Sequence, residues 1–150
     1  MRNDVVVRPA KITDAARVAE LSDVLGYPVD RETMQRRLEQ FGQREEQVVF
    51  VAEMNGKIVG WIHGAEHELL VVGRTAEICG LVVADRARGH GIGRRLIDAG
   101  EEWARGRGLD EISVRSNVVR PESHPFYERL GFTKIKTQHV YRKSLALPER

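Results

Sequence analysis

Short β-branched runs alternate along this chain with longer stretches in which apolar residues return every three or four positions, so it reads as strands and amphipathic helices in mixed order. Val5 to Val7 predicts an opening strand, halted at Pro9. Thr13 and Asp14 offer N-caps for a helix carrying Val18, Leu21 and Leu25, closed by Gly26 and Pro28. Asp30 caps a second helix, whose Met34, Leu38 and Phe41 form one stripe before Gly42. From Val48 the period drops to two, and VVFVAEM, Asn55-Gly56 and KIVGWIHGAEH predict a hairpin with a type I′ turn. A third strand runs from about Ala76 to Val83 and ends where glycines begin.

Residues 91 to 106 predict a helix with Ile92, Leu96, Gly100 and Trp103 on one side and Arg95, Asp98, Glu102 and Arg105 on the other. Glu111 to Arg115 alternates as a strand, Pro121 to Leu130 predicts a short helix closed by Gly131, and Phe132 to Lys143 offers two more short strands. This order implies one α/β domain over residues 1–150, a mixed sheet covered by helices.

Composition narrows the function classes. With 24 basic and 22 acidic residues the net charge is +2, and only 6% of residues are aromatic, so no footprint for nucleic acid or an anionic membrane is expected. The single cysteine, Cys79, excludes an intrachain disulfide and has no Cys or His at zinc spacing, so no metal is expected. MRNDVVVRPAK lacks the apolar core of a signal peptide, and no apolar run is long enough to span a bilayer; the expectation is a cytoplasmic protein.

The chemistry concentrates in ICGLVVADRARGHGIGRRLIDAGEEW, residues 78–103, where an apolar strand passes through a glycine-rich turn into a helix. Gly89, Gly91 and Gly93 let consecutive backbone N–H groups converge on phosphate oxygens, the helix N-terminus adds positive potential, and Arg88, Arg94 and Arg95 stand ready to add charge. The competing reading is a connection whose glycines merely permit tight packing. Ile92, Gly93, Arg94 and Arg95 do not supply the Lys-Ser/Thr of a Walker A loop. Counting from Gly89, the sixth position is Arg94 rather than glycine, which disfavours a dinucleotide fold.

The turn resembles the acyl-CoA pyrophosphate loop of the GNAT superfamily of N-acetyltransferases, with Arg88, Gly91 and Gly93 at the motif positions; LVVADRA before it and FYERLGF after it follow the family's order. The resemblance implies that acetyl-CoA lays its pantetheine along Leu81, Val82 and Val83 and its pyrophosphate on Arg88, Gly89, His90, Gly91, Ile92, Gly93 and Arg94. It implies a slot between the strand ending near Val83 and the one ending near Arg115, with Gly80 marking either a bulge or a packing contact. A backbone N–H at Leu81 or Val82 would polarise the thioester, and Tyr127 would protonate the departing thiolate unless it is simply a core residue.

Glu77 is the first candidate for general base; otherwise it faces water or pairs with an arginine. His63, His67, His124 and His139 are rivals. Cys79 is expected to be a buried thiol of raised pKa, so direct attack by the amine is favoured over an acyl-enzyme. Where many members carry an asparagine ahead of the general acid this chain has Arg120, and Asn117 nearby either reaches the pantetheine or closes a turn.

The family acetylates aminoglycosides, polyamines, amino acids, peptide N-termini and lysines, and often dimerises, so a homodimer is in prospect. LSDVLGYPVDRETMQRRL and KTQHVYRKSL look similar to an aminoglycoside-acetyltransferase-like subgroup, for which Glu45, Glu46, Glu66 and Glu68 would form an acidic cleft if they converge. The alternative to an enzyme is an acyl-CoA sensor with the same slot and no turnover.

Overall fold

A computed structural model describes residues 4–115 and 123–147. The chain divides into two compact units, Met1–Arg115 and Ser116–Arg150. The first holds a five-stranded sheet of β1 (Val5–Pro9), β2 (Gln47–Met54), β3 (Lys57–Leu69), β4 (Gly73–Val83) and β5 (Ile112–Val114), adjacent in chain order. Three helices accompany it: α1 (Ala15–Ser22), α2 (Arg31–Gly42) and α3 (Ile92–Gly106). The β1–β4 strands are antiparallel, because short turns or returning helices join them, whereas β5 follows the α3 crossover and pairs parallel to β4. The mixed sheet flanked by helices is the architecture that the hydrophobic periods imply.

The alternation within β3 sorts the two layers. Gly60, Ile62 and Gly64 point toward α3, which buries Ile92, Leu96, Ile97, Gly100 and Ala104 and leaves Arg95, Asp98, Glu102 and Arg105 exposed. The glycines admit the helix closely: a Cβ on Gly64 would lie 3.2 Å from Val48 Cγ1 and 3.6 Å from the Trp103 ring. On the opposite face Phe41 of α2 stacks on His63, ring centroids 5.0 Å apart. Asn55 and Gly56 both take positive φ, 54° and 78°, as a type I′ turn requires. Asp30 caps α2 by accepting the Thr33 N–H at 2.7 Å.

Asp14 departs from its expected role. A single 3-10 turn, Ile12–Asp14, precedes α1, and the Asp14 carboxylate accepts the Lys11 N–H at 2.7 Å rather than capping the α-helix. It also receives Arg8 Nη1 at 2.8 Å and Nη2 at 3.0 Å, and Arg8 Nε reaches Glu53 at 3.0 Å, so β1, β2 and the α1 entrance are tied at one guanidinium. Burial alone would raise the Asp14 carboxyl, but hydrogen bonds from Arg8 and Lys11 outweigh it and hold the pKa below the usual carboxylate value. A depressed native pKa contributes stability above the unfolded value of about 3.9 and loses it as pH falls through the native one. Asp14→Asn is expected to cost about 1–2 kcal/mol near neutral pH and to flatten the acid-side loss of stability, as read by urea unfolding over a pH series.

The second unit contains α4 (Ser123–Arg129), after which Gly131 takes φ 93°. Tyr127 lies edge-on to Phe126 at 5.2 Å and to Phe132 at 5.8 Å. Residues 133–147 form no strand, contrary to the expectation for Phe132 to Lys143. Ile135, Val140 and Tyr141 stand exposed, so no buried apolar face holds such strands in place. Asn117 and Arg120 lie outside the described residues.

Candidate active site

The sheet opens on one side of β4. Only Ala76–Ile78 of that strand pairs with β5. On its other side, His63 of β3 faces Gly80 and Gly64 faces Ile78, so Cys79 is the extra residue of a bulge. Beyond it, Gly80–Val83 pairs with β3 but has no partner on the β5 side among the described residues. The Ala84 N–H donates to Val59 O at 2.8 Å. By alternation the Val82 main chain also turns toward β3, and Leu81 and Val83 direct theirs to the open edge. Of the two amides that the sequence left open as thioester donors, Leu81 therefore faces the slot. Gly80 serves both of its alternatives: it adjoins the bulge, and a Cβ there would stand 2.8 and 2.9 Å from Trp61 ring carbons. The Trp61 Nε1–H is buried with no acceptor among the described residues.

The glycine turn follows directly. Asp85–Ala87 makes one 3-10 turn that uses the Arg88 N–H, which donates to Asp85 O at 3.2 Å, while the Arg88 guanidinium reaches the Asp85 carboxylate at 3.2 Å. Gly89 and Gly91 then take φ 87° and 72°, the left-handed region that favours glycine. The Arg95 N–H, donating to Gly91 O at 3.1 Å, is the first to find a helical acceptor. The N–H groups of Gly89, His90, Gly91, Ile92, Gly93 and Arg94 have no partner among the described residues. They stand at a helix N-terminus, where the macrodipole adds roughly half a positive charge, and suit a bound diphosphate. Arg94 is exposed beside them. The Arg95 guanidinium donates through Nη1 to the Val5 carbonyl on β1.

A polar cluster borders the bulge. Glu77 lies opposite Ala65, whose small side chain leaves room for His67 to reach across diagonally. His67 Nε2 is 2.7 Å from Glu77 Oε2, and Arg115 Nε is 3.1 Å from Oε1. The arginine pairing considered from sequence is thus present. The histidine partner was not foreseen, although carrying the hairpin register ten residues along would have found it. Cys79 is exposed rather than buried as expected, since the bulge turns it out of the ladder. Partial desolvation of its sulfur, with the negative charge of Glu77 adding and Arg115 opposing, still pushes the thiol up to about 11.

His63 is held structurally: burial lowers its pKa, with Glu77 opposing and His67 adding to the effect, and its Nε2 lies 2.6 Å from Gln47 Oε1. Glu66 is neutralised by Arg74 at 2.7 Å and Arg107 at 3.1 Å, so it does not build the acidic cleft considered above. Glu45, Glu46 and Glu68 are exposed.

A family model described as the acetyltransferase (GNAT) family matches residues 15–132. The chain belongs to that family. As a GNAT protein it is an acyl-CoA-dependent N-acetyltransferase. It is 32% identical over 106 residues to the uncharacterized N-acetyltransferase YhdJ of Bacillus subtilis, covering 70% of this chain and 75% of that one. To the aminoglycoside N(6')-acetyltransferase type 1 of Klebsiella aerogenes it is 27% identical over 152 residues, 97% of this chain and 100% of the relative. Its fold matches that of the aminoglycoside N-acetyltransferase AAC(6')-Iy solved with CoA, at a TM-score of 0.86 and 20% identity, covering 95% and 97% of the two chains.

Tyr127, His124 and His139, the other candidates from the sequence, fall in the second unit. Tyr127 is half-buried between Phe126 and Phe132, and that burial raises its hydroxyl pKa above the ordinary tyrosine value. His124 is half-buried on α4, and His139 is exposed with Tyr141 at 6.4 Å. Among the described residues no helix is long and apolar enough to cross a membrane.

Proposed function

We propose that this GNAT enzyme moves an acetyl group from acetyl-CoA to a primary amine by direct attack on the thioester. The observation that carries the reading is the adjacency of an open β4 edge to six consecutive unpartnered N–H groups. Leu81 and Val83 bond the pantetheine amides as an added strand would, with Val82 packing beneath them. The turn from Arg88 to Arg94 holds the diphosphate.

The Leu81 N–H is placed to polarise the thioester carbonyl and to stabilise the negative charge that grows on its oxygen during attack. Glu77 accepts the proton that the substrate ammonium must lose, and its hydrogen bond to His67 fixes the carboxylate's orientation. Tyr127 donates a proton to the departing thiolate, which its raised pKa leaves available at neutral pH. The protonated state of Cys79 speaks against an acyl-enzyme.

Full-length similarity to an aminoglycoside acetyltransferase supports an amino-sugar amine as acceptor. Residues 1–150 act as one domain in the cytoplasm, as a homodimer. An acceptor panel of aminoglycosides, polyamines, amino acids and peptides, read by release of free CoA, tests the reading. Amino sugars are expected to give the largest rates; CoA binding with no thiol release from any amine would mark a sensor instead.

A further inference from the structure

His67, Glu77 and Cys79 bring three different donor atoms to one spot. The imidazole nitrogen, the carboxylate oxygen and the sulfur all lie within 4.8 Å of one another. None comes from a local sequence motif: antiparallel pairing brings β3 beside β4, and the bulge swings the Cys79 sulfur out beside Glu77. The half-buried His67 and Glu77 and the exposed Cys79 leave the spot accessible from solvent.

Zinc takes nitrogen and oxygen ligands at about 2.0–2.2 Å and sulfur at about 2.3 Å, so tetrahedral ligation separates donor atoms by roughly 3.3–3.6 Å. The His67–Glu77 pair at 2.7 Å must open by about half an ångström and the sulfur must close by at most about 1.2–1.5 Å, within reach of side-chain rotation. An imidazole, a carboxylate and a thiolate together select a borderline-soft divalent cation over magnesium or calcium.

We propose that His67 Nε2, Glu77 Oε2 and Cys79 Sγ bind one divalent cation of the zinc class, and that its binding inhibits acetyl transfer. Coordination replaces the His67–Glu77 hydrogen bond, places the remaining imidazole proton on Nδ1 and releases the Cys79 thiol proton to solvent. Arg115 stays on Oε1. A water molecule takes the fourth position. The inhibitory consequence rests on the base role given to Glu77, because the cation takes up the oxygen that would receive the substrate proton; cation binding itself does not rest on it.

Cobalt(II) titration of the whole protein tests the site without an activity assay. Since Cys79 is the chain's only cysteine, any sulfur-to-cobalt charge-transfer absorption reports on it alone. The expected result is a band that saturates at one equivalent and is bleached by zinc. Cys79→Ser should abolish the band and weaken zinc binding at least 10-fold, as should His67→Gln for the binding. No saturable band, or zinc affinity unchanged in both variants, would overturn the site. In the transfer assay, read as acetylated product, zinc should inhibit the native chain and have little effect on Cys79→Ser. Zinc that binds stoichiometrically but leaves transfer unaltered would overturn the inhibitory claim and with it the base role of Glu77, while the metal site stands.

Discussion

Gly91→Glu is expected to weaken acetyl-CoA binding by about 10²–10⁴-fold. The replacement carboxylate stands among the free N–H groups of residues 89–94 and takes up, or repels the diphosphate from, at least two of the charge-assisted hydrogen bonds. Each such bond contributes about 1.5–3 kcal/mol, and each 1.4 kcal/mol is tenfold in affinity. No heavy atom lies within 4 Å of the Cβ position, so steric damage to the fold is not the cause. The backbone does resist: φ of 72° costs a residue with a side chain about 1–2 kcal/mol. Gly91→Ala carries that same strain without the charge and is the control. Calorimetric titration with acetyl-CoA should find the alanine variant within about tenfold of the native chain, a stability loss appearing instead in its melting curve. Equal affinities for the glutamate variant and the native chain would remove the diphosphate from this turn.

The glycine turn proposed to hold the cofactor was legible in the sequence and the surroundings of the candidate acid–base residues were not, for reasons that differ in range. Gly89 and Gly91 take the positive φ that glycine allows, and the N–H groups of residues 89–94 are left without partners among the described residues at the start of α3, both of which follow from local chemistry. The strands of the five-stranded sheet and α3 were equally readable, since Ile92, Leu96 and Gly100 keep helical spacing and β3 alternates, whereas the two strands expected over Phe132 to Lys143 do not form. What could not be read depends on partners far along the chain. Arg95 reaches Val5, Glu66 reaches Arg107, and Glu77 reaches His67 and Arg115. Cys79 looked like a buried strand residue because a bulge is invisible to alternation, and one extra residue reverses the face of everything that follows. Gly80 could be explained only once Trp61 was seen over it.

Tyr127→Phe should lower kcat by about 10²–10⁴-fold while leaving acetyl-CoA affinity within a factor of about two, the pattern of a group that acts on the leaving thiolate and not on the bound ground state. The change removes only the hydroxyl. The ring remains to pack edge-on against Phe126 and Phe132, so a folding defect should be small and a melting curve checks it. Because burial raises the Tyr127 pKa, the phenol keeps its proton through neutral pH and beyond the usual value of about 10. The native rate should therefore show no loss from this group until alkaline pH. In the phenylalanine variant the residual rate should depend on the departing thiol: acyl thioesters whose thiols are more acidic need less help from a proton donor and should recover most of the lost rate. A uniform loss across such a thioester series, or an unaltered kcat with acetyl-CoA, would take the proton-donor role away from Tyr127 and leave its ring as part of the apolar packing around α4.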